Sequence, residues 1–180
     1  MNFKIFGTAI LLQLVFTLHM PTIACSGQPE ESQLKAVFVL NFAKLTEWPA
    51  DNLAGGSAFS IVILGKVPSA AFFNLLKGQT VRGGKVSVRR IEEVGEAKGS
   101  HLIFISESER YRLTGILREL SQQDILTVSD IAGFCEAGGM IGLMPVQNRL
   151  GFEVNLASVR KTRLTVGSQL LKLAKTIIGN

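Results

Sequence analysis

The chain is poor in the residues that usually carry chemistry or covalent staples. It holds two cysteines, two histidines, one tryptophan and one tyrosine among 180 residues. Two cysteines, Cys25 and Cys135, cannot build a disulfide framework, and neither lies in a CxxC or zinc-like spacing. No HExxH, Walker A or HxE…CxxC pattern occurs. His19 lies in an apolar N-terminal stretch, which leaves His101. It heads an apolar run with no neighbour suited to a triad, and it reads as structural. The aspartates number only three: Asp51, Asp124 and Asp130. These shortages argue against an enzyme, and no cofactor or metal set is expected.

What is present begins with an export signal. Lys4 is followed by an apolar run from Ile5 to Leu18, a polar break at His19 and Pro21, and a small-residue exit at Thr22-Ile23-Ala24. That layout predicts a signal peptide over 1–24, with a run too short for a spanning helix. Cys25 follows directly, so it is a candidate lipidation site, although Thr22 stands where a lipoprotein signal usually has Leu. A polar stretch at 25–33 reads as a flexible linker, and 34–180 as one folded domain. Removing the leader takes away Lys4 alone among the charged residues, which lowers the formal net charge of +5 by one. A chain of about 150 residues can hold a proper core. Its mild basicity, on the exported side, points to no nucleic-acid partner.

The apolar pattern then alternates between helix and strand. Leu34, Val37, Phe38, Phe42, Leu45 and Trp48 fall at helical spacing, and Pro49 ends the helix. Phe59–Gly65, His101–Ser106 and Ile125–Val128 are short apolar runs suited to buried strands. Lys85–Ile91 alternates, as a strand near a sheet edge does. Helices are expected from Pro68 to Lys77, from Ser108 to Leu120 with Tyr111 facing inward, and from Val166 to Ile178. Met140–Val146 and Leu150–Leu156, split by three polar residues, predict an antiparallel hairpin. The fold class is α/β: a largely parallel central sheet with an antiparallel edge hairpin and helices on both faces, a Rossmann-like sandwich.

Several residues invite a chemical reading. Asp130 follows the third buried strand, where open α/β sheets place ligand contacts, although a helix-cap or Asx-turn role fits it better. Gly138-Gly139 leads into a strand and not a helix, so it suits a tight turn and not a nucleotide loop. Arg160-Lys161-Thr162-Arg163 is the densest basic cluster, and Glu47-Trp48-Pro49 forms a corner at a helix end. Glu47, Trp48, Arg160, Lys161 and Arg163 are therefore the candidate partner contacts. An alternative function is a periplasmic small-ligand sensor with a crevice framed by Gly65, Ser106 and Ser129-Asp130. A hydrolase would have only Ser106, Ser129 and His101 to work with.

Four segments, LKAVFVLNFAKLTEWP at 34–49, SHLIFI at 100–105, GFCEAGGMI at 133–141 and RLGFEVN at 149–155, resemble the YfiR family of periplasmic proteins in order and type. The resemblance spans essentially the whole predicted domain. It implies a non-enzymatic repressor that binds the periplasmic part of an inner-membrane diguanylate cyclase of the YfiN type, lowering cyclic di-GMP and biofilm formation. It also implies release through an outer-membrane YfiB-type lipoprotein, and a homodimer. The chain departs from the pattern at two positions. Ser100 stands where a cysteine often precedes the histidine, and Gly142 stands where a partner for Cys135 is expected. Redox control of the family kind therefore does not carry over.

Overall fold

The computed structural model describes residues 28–52, 58–66, 69–147 and 149–179. The expected signal peptide and Cys25 lie outside the described residues. No helix among the described residues is long and apolar enough to cross a membrane.

Helix α1 (Gln28–Leu45) starts earlier than the spacing predicts, so residues 28–33, expected as linker, are helical. Pro29 suits a first turn, where its missing N–H costs nothing, and Glu31 bonds Lys35 one turn on at 2.8 Å. The helix buries Ala36, Val39, Phe42 and Ala43, a three-to-four spacing that marks its inner face. Strand β1 (Thr46–Glu47) follows directly. The chain continues through β2 (Phe59–Leu64), α2 (Ala70–Leu76), β3 (Thr80–Val81), β4 (Gly84–Ile91), β5 (Leu102–Ile105), α3 (Leu113–Leu120) and β6 (Leu126–Ser129). It ends with β7 (Ile141–Val146), β8 (Arg149–Asn155), α4 (Leu156–Val159), β9 (Thr165–Val166), α5 (Ser168–Leu173) and β10 (Thr176–Ile178).

One mixed sheet runs in the order β10-β8-β7-β6-β5-β2-β4-β3. The strands from β4 to β7 are parallel, whereas β7–β8 and β3–β4 pair antiparallel. Strand alternation sorts the core into two layers. Ile61, Ile63, Leu102, Phe104, Leu126 and Val128 pack under α1, α2 and α5. Val62, Leu64, Ile103 and Ile105 pack against α3 and the 3₁₀ turn Val94–Ala97. Both faces are therefore covered, and the α/β sandwich is as expected.

Three local expectations change. The closing helix stops at Leu173, and Thr176–Ile178 instead extends the sheet parallel to β8. Thr-Ile-Ile has strong β preference, and the outer edge of β8 offers unpaired backbone groups for it. The hairpin is consequently not the edge of the sheet. The segment Glu107–Arg112 is 3₁₀, with three residues per turn. That tighter winding shifts the phase, and Tyr111 is 99% exposed and not inward.

Candidate functional site

The histidine end of the sheet is built for packing. His101 sits just before β5, with Nδ1 accepting from Ser60 N–H at 3.0 Å and Nε2 2.9 Å from the Asn52 carbonyl. These partners fix the Nε2–H tautomer. The ring stacks on Phe59 at 4.5 Å, and Trp48 meets Phe59 edge-on at 5.1 Å. The Trp48 indole N–H donates to the His101 carbonyl at 3.2 Å. Trp48, expected as a partner contact, is only 7% exposed, so it belongs to the core.

The structure does bring the other partner candidates together. Strand β1 pairs with β9, setting Glu47 opposite Thr165, next to the 160–163 cluster. The cations are unequal in freedom. Arg163 donates Nε to Asp124 at 2.8 Å and Nη1 to Asp51 at 3.0 Å, and its backbone N–H also bonds Asp124. Those acids hold its pKa above the ordinary range, and Arg163 in turn holds Asp51 below the usual carboxylate range. Arg163 is thus a clamp joining three loops. Arg160 donates to the Gly179 carbonyl at 2.9 Å. Lys161 is exposed, and among the described residues it makes no ion pair.

Strands β4-β2-β5-β6-β7 give a doubly wound order whose switch point lies between β2 and β5. The chain itself fills that crevice. Ser106 Oγ donates to the Lys66 carbonyl, and Lys66 N–H donates to Ser108 Oγ at 3.0 Å. A Cβ at Gly65 would sit 2.5 Å from Ser108 Oγ. Ser129 Oγ donates to the Ile105 carbonyl at 2.6 Å. Gly65, Ser106 and Ser129-Asp130 therefore do not frame one open site. The parts of a hydrolase are also apart, because His101 precedes β5 and Ser106 follows it, about 15 Å along the strand.

Asp130 turns instead toward α1. Lys35 Nζ lies 2.7 Å from Asp130 Oδ2 and 2.8 Å from Glu31. The Lys35 and Asp130 side chains are 13% and 14% exposed, and Asp130 Oδ1 is buried with no partner. Burial pulls the Lys35 ammonium down, but its bonds to Asp130 and Glu31 outweigh that, and its pKa stands above the ordinary 10.5. The pair closes one end of a groove of about 780 Å³ between α1 and the β7–β8 hairpin. Leu34, Phe38, Leu143, Met144, Pro145 and Leu150 line it, with Arg149 at the far side. It is larger than the concavities beside α3, beside His101 and beside α5. Sequence reasoning singled out Asp130 but missed Lys35, whose partner lies 95 residues away and leaves no local signal.

Cys135 is buried, and burial, then the adjacent Glu153 charge, push its thiol far above the ordinary range. A buried thiol held protonated in this way suits the structural role expected of it. Gly142 faces it across the strand: a Cβ there would lie 3.4 Å from Cys135 Sγ and 2.9 Å from Glu153 Oε1. The Glu153 side chain occupies the space a second thiol would take. Gly142→Cys is expected to form a disulfide with Cys135 once Glu153 swings aside. By loop-closure entropy the oxidised form should be about 2 kcal/mol more stable than its reduced form. Thermal unfolding with and without reductant measures this, and equal midpoints would refute it.

Fold and site together define a doubly wound α/β domain with an apolar groove between α1 and the β7–β8 hairpin. The chain belongs to the YfiR/HmsC-like family: residues 32–175 match DUF4154, which carries that description. This family is periplasmic, and its members are regulators in cyclic di-GMP signalling. Among curated proteins, none matches the chain.

Proposed function

We propose that this protein is an exported, non-enzymatic repressor that binds the periplasmic part of an inner-membrane diguanylate cyclase and so lowers cyclic di-GMP and biofilm formation. The family match over 32–175 carries the reading. The leader-like residues 1–24 and the scarcity of catalytic side chains support it. The protein acts in the periplasm as a homodimer, with Glu47, Arg160 and Lys161 at one end of the sheet as open contacts. Trp48 supports that end from within, and Arg163 clamps it at the surface. Release by an outer-membrane YfiB-type lipoprotein, and acylation of Cys25, belong to the same reading.

Deleting the gene is expected to raise cyclic di-GMP and biofilm mass several-fold, and only while the cognate cyclase is present. Unchanged cyclic di-GMP in the deletion strain, with the cyclase expressed, would overturn the reading. Labelling with a palmitate analogue, compared with Cys25→Ser, reports on the anchor.

A further inference from the structure

The charges of the chain are spread unevenly. From Ala137 to Asn180 the sequence carries six cations, Arg149, Arg160, Lys161, Arg163, Lys172 and Lys175, and one acid, Glu153. Glu153 is only 9% exposed, and of the six cations only Arg163 makes an ion pair among the described residues. The fold lines most of them up along one edge of the sheet. Strand β10 is outermost, and its register sets Thr176 beside Glu153 and Ile178 beside Asn155. Arg149 starts β8, and Lys175 leads into β10 with its N–H on the Phe152 carbonyl. Arg160, just past α4, donates to the Gly179 carbonyl at the other end of β10, and a carbonyl leaves the guanidinium charge uncompensated. Lys172 and Leu173 close α5 beside them. Two apolar side chains stand among these cations, Leu173 at 66% exposed and Ile177 at 40%. A concavity of about 610 Å³ runs between the hairpin and α5, with Arg149, Leu150, Leu173 and Lys175 in its wall and no acid. Glu31 lines the neighbouring groove beside α1 and not this one.

We propose that this edge rests on the surface of a membrane containing anionic lipid. Leu173 and Ile177 enter the headgroup layer, and Arg149, Arg160, Lys172 and Lys175 meet lipid phosphates. The inference goes beyond the repressor reading and does not depend on it. Basic side chains lay their apolar stems against such a boundary and keep their charges in the phosphate layer, and each one near an anionic surface adds to the attraction. An acidic protein segment is the poorer occupant. The cations come from separate elements spread along the strand, a layout that matches many mobile phosphates better than one fixed segment. An exposed leucine also enters a headgroup layer without needing a complementary pocket. A second copy fits less well again, because a two-fold contact centred on this edge sets cation against cation. The patch ends at Arg160, beside Lys161, where the proposed cyclase contacts begin.

The test uses the full chain, secreted and purified with Cys25→Ser, so that no acyl chain can bind in place of the edge. Sedimentation with vesicles of phosphatidylglycerol and phosphatidylethanolamine is expected to capture it at least about tenfold more tightly than phosphatidylcholine vesicles do, and less so as salt is added. Lys172→Glu with Lys175→Glu is expected to weaken capture about tenfold or more, and Leu173→Ser about threefold. Lys85→Glu with Lys98→Glu makes the same change in net charge near the far edge of the sheet and should bind as the parent does. That pattern, with folding midpoints unchanged, supports the edge. Equal loss in both double variants overturns it, by showing attraction to net charge alone. No capture of the parent by anionic vesicles at low salt also overturns it and leaves the repressor reading intact. A Lys172 and Lys175 double variant that keeps parental vesicle binding but loses the detergent-solubilised cyclase overturns it as well, by assigning the edge to an acidic protein partner.

Discussion

Trp48→Ala is expected to cost about 4 kcal/mol of folding stability. The indole joins three parts of the molecule at once. It closes the end of α1, lies edge-on to Phe59 of β2, and donates its N–H to the carbonyl of His101 at the start of β5. Truncation removes a large buried apolar area and one of the two donors to the His101 carbonyl, which keeps the Leu126 N–H at 2.9 Å, and the rigid sheet around it cannot collapse into the space. Trp48→Phe keeps the ring contact and loses the donor, so a smaller cost of about 1 to 2 kcal/mol is expected. Urea unfolding of both variants measures the difference. A loss under about 1 kcal/mol for Trp48→Ala would show that the residue is not part of the core. The functional consequence is direct. A Trp48 variant that derepresses the cyclase would do so through low protein abundance, and only variants with parental stability report on contact.

Lys35→Met is expected to cost about 2 to 3 kcal/mol. Removing one partner of a half-sheltered pair leaves the other charge uncompensated, and Asp130 already has one oxygen without a partner. Because Asp130 follows β6 directly, the pair ties the start of α1 to the middle of the sheet. The pH dependence has a definite sign. The Lys35 pKa is raised by its acids, so the stability it contributes is fully present below its ordinary 10.5 and is lost as pH rises beyond that value. The gap between parent and variant should stay constant from about pH 6 to about pH 10 and close above it. A gap that vanished near neutral pH would show that the pair contributes nothing. Lys35→Met with Asp130→Asn should recover part of the loss, since the double variant buries no unpaired charge.

The central parallel strands β2, β5 and β6 were legible because each is short, apolar on both faces and bounded by polar turns. The hairpin was legible because three polar residues separate two alternating runs. Tyr111 and the closing segment were misread for one shared reason. Periodicity over a few residues does not distinguish a 3₁₀ turn from an α-helix, nor a short strand from a helix tail. What decided Thr176–Ile178 was the open edge of β8, a partner more than twenty residues away.

The candidate site divides along the same line. By itself the sequence determined the family, the order of the main strands and helices from α1 to the hairpin, and the scarcity of catalytic groups, because these rest on residue type and local spacing. Only the tertiary structure decided which charges are open. Arg163 is engaged by Asp51 and Asp124, and Lys35 by Asp130 and Glu31, whereas Arg149 and Lys175 stay exposed; Trp48 is likewise taken into the core. Pairing and burial depend on distance in space, and across 112 residues from Asp51 to Arg163 the chain order carries no record of it.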